Sequence, residues 1–278
     1  MSIMKKFSIA VLCVVITASS SESNADNRCD QRVPPAYLRT LRQWQIAPKP
    51  YMPKYREGYR DFTLHSIYHG DTVADFPYLP NGALDPRILF KYKRVFRDKT
   101  SGAMHSVHPR LVKLLYKLAL TFKAGQINIV SGYRQGASRD SEKNHGLGRA
   151  ADIIIPGVSI NAVAVRARQL GHVGVGLYLN AGFVHIDVRD GPSYFWLDRS
   201  GPKKPSCHKA VLPEMISLYD NRWRAGLDNP RQAYHVSGRL LGELTVQERA
   251  DILQRSKAAV GVNQPHNILL SDREPSQK

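Results

Sequence analysis

Apolar residues along the chain switch between alternating and helical spacing several times. "FTLHSIYH", from Phe62, alternates loosely, as a half-buried strand does. "LDPRILFKYKRVFRD" offers Asp85 as an N-cap and Pro86 at the first helical position, which predicts a short basic helix. In "HPRLVKLLYKLALTF", Leu111, Leu115, Leu118 and Phe122 share one face behind Pro109, the spacing of a core helix. "QINIVSGYR" and "AADIII" read as strands, "SINAVAVRARQL" as a helix capped by Ser159, and "VGVGLY" and "FVHIDV" as two further strands. Short strands and helices without a regular β-α-β alternation predict an α+β fold with a mainly antiparallel sheet flanked by helices.

The ends depart from this pattern. Lys5 and Lys6 precede an apolar run from Phe7 to Ala18, and "SNA" at 23–25 has small residues at a cleavage spacing, so residues 1–25 are expected to be a secretory signal. That run is too short to cross a bilayer, which takes about 20 residues, and no later stretch is longer. Residues 26–60, rich in Pro, Arg and Tyr, are read as an irregular basic extension, and 61–199 as the main domain. A C-terminal extension, 200–278, holds helical stretches near 211–224 and 245–258, the second behind a Thr245/Glu248 capping box, and ends in a disordered-looking tail.

Export changes the reading of charge and cysteine. Formal charge is +17, and nine Lys or Arg stand between Arg87 and Lys117 against one acid, Asp98. In an exported protein, periplasmic or secreted, such a face is expected to meet carboxylate-bearing cell wall or anionic lipid rather than nucleic acid, or to be a solvated surface. Losing Cys13 with the signal leaves Cys29 and Cys207, which are expected either to form a disulfide or to remain two unrelated thiols.

The candidate chemistry lies in "SEKNHGLGRAADIII" and "FVHIDV". His145 precedes Asp152 by seven residues, a spacing that decides nothing alone. His185 and Asp187, two apart on a strand, project from one face. Two imidazoles and a carboxylate, with water in a fourth position, would make an open zinc site of the hydrolytic kind. A neutral His185 satisfied within the sheet, with Asp152 capping a turn, fits the same residues.

"SGYR" at 131–134, "HGLGRAAD" at 145–152, "GVGLY" and "FVHID" together resemble the zinc murein peptidases of the D-alanyl-D-alanine peptidase superfamily, which includes Hedgehog-like domains. The resemblance runs from about Leu64 to Trp196. It implies Zn2+ bound by His145, Asp152 and His185, peptidoglycan as partner, and hydrolysis of amide bonds in stem peptides or their cross-links. It also places Arg134, beside Tyr133, against the substrate, where a guanidinium can steady a developing oxyanion. Departures are Lys143 where the family has Ser, Gly136 and Arg139 after the SGYR motif, and Gly182 where some members carry an acid three residues before the strand His. Arg189 and Trp196 are candidates to replace parts of the family's compact ending. Asp187 is then either the general base or the carboxylate that orients His185, with His172 a second candidate base. The rival expectation is a wall-binding protein that keeps the zinc fold but catalyses weakly or not at all.

Overall fold

The computed structural model describes residues 33–47, 51–137, 142–202 and 207–222, all within one compact unit, 1–234. The expected signal, Cys29 and with it the pairing to Cys207, Arg139, the 245–258 helix and the tail lie outside the described residues.

In chain order the helices are α1 (Pro35–Gln45), α2 (Pro86–Val95), α3 (Pro109–Thr121), α4 (Lys143–Gly146), α5 (Ile160–Arg168) and α6 (Pro213–Arg222). The strands are β1 (Tyr55–Arg56), β2 (Tyr59–Arg60), β3 (Phe62–Ser66), β4 (Thr72–Asp75), β5 (Gln126–Ser131), β6 (Ala150–Ile154), β7 (Val173–Tyr178), β8 (Phe183–Val188), β9 (Tyr194–Asp198) and β10 (His208–Ala210). β1 and β2 form a small hairpin, and the other eight make one sheet in the order β10-β9-β7-β8-β6-β5-β3-β4. Only β3–β5 and β7–β9 pair in parallel, so the expected α+β class with a mainly antiparallel sheet holds.

Strand alternation gives this sheet two different faces. Ala151, Ile153, Val184, Ile186, Val173, Val175 and Leu177 are buried and lie on one face through the register pairs Ala151↔Ile186, Ile153↔Val184, Val175↔Ile186 and Leu177↔Val184. Helices α3 and α5 contact these strands, and Leu111, Leu115 and Leu118 of α3 are fully enclosed. Each such side chain contributes roughly 1.5–3 kcal/mol on burial. The opposite face carries Asp152, His185, Asp187, Gly174, Gly176 and Tyr178, from pairs such as Asp152↔His185 and Gly176↔His185.

The predicted helix starts hold: Asp85 accepts from the Arg87 N–H at 2.9 Å and Ser159 from Ala162 N–H at 3.2 Å. Residues 26–60, expected to be irregular, instead contain α1 and the β1–β2 hairpin. Tyr37, Leu41 and Trp44 recur at helical spacing behind Pro35, a signal diluted by surrounding prolines. Leu41 is buried, Tyr37 Oη donates to Ala181 O at 2.7 Å, and Asn128 Nδ2 donates to Trp44 O at 2.9 Å. Helix α1 therefore crosses the sheet from the β7–β8 turn to β5. Beyond the main domain, Asp220 of α6 accepts from His172 N–H at 2.7 Å and from Ser193 N–H and Oγ at 2.8 and 2.5 Å. These bonds fasten α6 to the loops flanking β7 and β9.

The basic run is less uniformly cationic than its sequence suggests. Lys91 pairs with Asp75 and Arg94 with Asp71, each at 2.9 Å, Arg97 also pairs with Asp71, and Arg87 pairs with Asp85 at 2.7 Å. All three acids precede Arg87 in the chain, so counting charge within the run misses them. Among the described residues no helix is long and apolar enough to cross a membrane.

Candidate metal centre

His145 lies in α4, Asp152 in the middle of β6 and His185 in the middle of β8. All three are almost wholly buried. His145 is turned inward by the loop "HGLG". Gly148 adopts φ +64°, and a Cβ there would stand 2.1 Å from Ser106 O, so this close turn requires glycine. Asp152 and His185 face one another across the β6–β8 ladder as direct register partners.

The three side chains form a cradle. His145 Nε2 is 3.1 Å from His185 Nδ1, His185 Nδ1 is 2.9 Å from Asp152 Oδ1, and His145 Nε2 is 3.5 Å from Asp152 Oδ1. Tetrahedral bonds of about 2.0–2.1 Å set donor atoms about 3.3–3.4 Å apart, so the triangle has the size of a small divalent metal site. The outer bonds fix which nitrogens face inward. His145 Nδ1 is 2.6 Å from Gly132 O, an atom that only accepts, so Nδ1 carries the proton and Nε2 a lone pair. His185 Nε2 is 3.1 Å from Asp187 Oδ2, which leaves the Nδ1 lone pair pointing inward. Three acceptors thus converge on one point, an arrangement that calls for a cation. Among the described residues His145, Asp152 and His185 are a group able to hold a metal ion.

Electrostatics act in the same direction at Asp152 and His145 and against it at His185, where a metal must displace a proton. Burial alone would raise the Asp152 pKa, but His145 and Arg134, with hydrogen bonds from both histidines, hold it well below the usual carboxylate range. Burial pushes the His145 pKa down. Burial also disfavours charge on His185, yet its bonds to Asp152 and Asp187 outweigh that and raise its pKa.

Arg134 is engaged at all three nitrogens. Nη2 donates to Asp152 Oδ2 at 2.5 Å, Nε to Ser131 Oγ at 3.0 Å, and Nη1 approaches Glu142 Oε1 at 3.4 Å. Its neighbour Tyr133 stacks on exposed His105, with ring centroids 5.0 Å apart, beside the turn that presents His145. Asp187 lies behind His185, on the outer nitrogen, where it also accepts from Arg189 Nε at 3.0 Å and Nη2 at 3.2 Å. Burial opposes its ionisation, but His185 and Arg189 lower its pKa to about 2. His172 directs Nδ1 to Gly191 O at 2.9 Å, in the loop between β8 and β9. Lys143 is exposed on α4.

Several contributors escape a reading by motif. A Cβ at Gly174 would lie 2.1 Å from Asp187 Oδ2, and one at Gly176 would lie 2.3 Å from Trp196 Cε2. "VGVG" therefore clears room for one carboxylate and one indole on the metal-facing side of β7, and alternate glycines in a strand were the available signal. Trp196 lies against His185, with centroids 5.1 Å apart. Glu142 has no signature beyond lying three residues before His145. Where some superfamily members carry an acid, Gly182 sits beneath Leu41 of α1.

A buried His/Asp/His cradle on one face of this α+β sheet is the site expected of a murein peptidase of the D-alanyl-D-alanine peptidase superfamily, the class to which the chain belongs. The profile of the peptidoglycan L,D-endopeptidase MepK family matches residues 54–196, and the chain belongs to that family. It is 30% identical over 149 residues to the "Probable peptidoglycan L,D-endopeptidase MepK" of Haemophilus influenzae, covering 49% of this chain and 78% of that protein. Against the peptidoglycan L,D-endopeptidase MepK of Escherichia coli (strain K12) the identity is 29% over 148 residues, covering 49% and 80%. No solved structure matches the chain at comparable significance.

Proposed function

We propose that the chain is an exported, zinc-dependent hydrolase of amide bonds in peptidoglycan, acting on L,D cross-links between stem peptides in the periplasm. The observation that carries this reading is the convergence of three inward lone pairs, from His145, Asp152 and His185, in a chain whose relatives are named for that activity. Zinc held there would supply Lewis acidity toward a scissile carbonyl and lower the pKa of an attacking water.

The other roles fall to this chain's own residues. Arg134 holds the outer oxygen of Asp152 and presents fixed positive charge to the substrate. We assign Asp187 the orienting role rather than that of base, because it bonds the outer nitrogen of His185 and is committed to Arg189. Glu142, tethered by Arg134 and reaching solvent, is the carboxylate we assign to accept the water's proton. Tyr133 and His105 form a rim against which a peptide can lie. The division into signal 1–25, extension 26–60, peptidase domain 61–199 and C-terminal extension 200–278 belongs to this proposal, with α1 lying against the domain.

Incubating metal-loaded mature protein with purified peptidoglycan and weighing the products tests the reading. The expected result is loss of L,D-linked dimers and gain of the matching monomers, absent with His185→Ala. Unchanged dimers would leave a wall-binding role in its place.

A further inference from the structure

We propose that Tyr178 is a catalytic residue of this site, its phenol hydroxyl hydrogen-bonding the scissile amide oxygen as the amide carbon becomes tetrahedral. The inference rests on the reading of the site as an amide hydrolase. It starts from the sheet register. Tyr178 shares the metal-facing side of β7 with Gly176, whose partner across the ladder is His185. The indole of Trp196 occupies the space above Gly176 and lies against the His185 ring. Trp196 Nε1, which can only donate, reaches Tyr178 Oη at 3.4 Å. The phenol oxygen is therefore held against the indole that packs over Gly176 and His185, on the strand next to that of His185. The ring is fixed there by stacking on Phe183 at 4.5 Å between centroids.

The hydrogen-bond inventory gives this hydroxyl a direction. Its oxygen accepts from Trp196, and its own proton has no acceptor among the described residues. Arg134 commits three of its five N–H donors to Asp152, Ser131 and Glu142, so Tyr178 adds a donor beside the two that the guanidinium keeps. Tyr178 also feels the charges of Asp152 and Arg134, and burial, the larger influence, pushes its ionisation up, so it stays a phenol and a donor. A fixed donor beside a developing oxyanion stabilises the transition state more than the planar amide. No proton need leave the tyrosine.

The test is Tyr178→Phe, which keeps the ring and removes the donor. Three probes are compared: an L,D-linked muropeptide dimer, a phosphinate peptide mimicking the tetrahedral carbon, and the cleaved product peptide. We expect kcat to fall about 100-fold with KM changed by less than about two-fold. Phosphinate affinity should fall with kcat, while product affinity and zinc content stay as in the parent. Parental turnover and phosphinate binding would overturn the proposal, as would equal losses of phosphinate and product affinity. If the parent protein neither cleaves the dimer nor binds the phosphinate, the hydrolase reading falls and this proposal with it. Should Tyr178→Phe fail to fold, Tyr178→His, which keeps a ring and an N–H donor, decides: preference for phosphinate over product within about 10-fold of the parent supports the role, and its loss in a folded protein overturns it.

Discussion

Replacing Gly174 with alanine probes how the sheet supports the metal cradle without touching a ligand. The added Cβ would stand 2.1 Å from Asp187 Oδ2, 2.5 Å from its Cγ and 2.6 Å from Oδ1. Packed heavy atoms rest at roughly 3.5 Å, so the carboxylate must retreat by more than about 1 Å. That movement stretches the 3.1 Å bond to His185 Nε2 beyond hydrogen-bonding range. It also strains the bonds from Arg189 and from Gly174 N–H. In a strand with room to spare, Gly→Ala stabilises by about 0.4–1 kcal/mol. Here overpacking costs roughly 1–3 kcal/mol instead, and loss of the outer partner of His185 weakens metal binding about 10–100-fold, equivalent to about 1.4–2.7 kcal/mol. Competition against a chromophoric chelator reads the affinity, and thermal denaturation reads the packing. Gly191→Ala, where nothing lies within 4 Å of the new Cβ, is the silent control. Parental zinc affinity in Gly174→Ala, whatever its melting temperature, would refute the orienting role of Asp187.

Glu142→Gln should keep its metal but lose turnover by about 100-fold or more, checked by metal analysis beside muropeptide kinetics; full turnover would remove it as the base. Asp220→Asn should destabilise the fold by about 2 kcal/mol at neutral pH, because His172 and Ser193 lose a charged acceptor. Burial raises the Asp220 pKa, but these bonds more than offset that and leave it below the ordinary value. Its stabilisation is therefore present above the unfolded pKa of about 3.9 and is lost as pH falls through the lower folded value. Urea midpoints of parent and variant should accordingly converge in acid, and a gap that stays constant with pH would contradict the assignment. Chelation should lower the melting temperature of the parent, since an ion that binds only the folded chain adds stability, but not that of His185→Ala.

The parts of the fold legible in sequence are those where one local signal dominates. Helix α3 has a clean apolar stripe, α2 and α5 carry caps, and β6 and β8 are short β-branched runs. Helix α1 was obscured because prolines on both sides outweigh the three apolar positions that dock it, and docking depends on Gly182 and Asn128, far along the chain. β9 pairs in parallel with β7, a long-range choice that nothing in "DGPSYFWLD" encodes by itself. At the site, His145, Asp152 and His185 could be named from sequence only through the family resemblance, since their spacing alone left a sheet-satisfied histidine and a turn-capping aspartate open. The division of labour around them could not: which nitrogen of His185 Asp187 bonds, or that Arg134 spans Asp152 and Glu142, follows from three-dimensional register.

In the proposed function, a metal held by His145, Asp152 and His185 enables peptidoglycan amide hydrolysis. Titrating metal-depleted protein with zinc while following cleavage of a defined L,D-linked muropeptide dimer tests it most directly. Activity should rise to a plateau at one zinc per chain, with His185→Ala gaining neither metal nor turnover. Cleavage by the metal-free protein, or full zinc occupancy without cleavage, would contradict it.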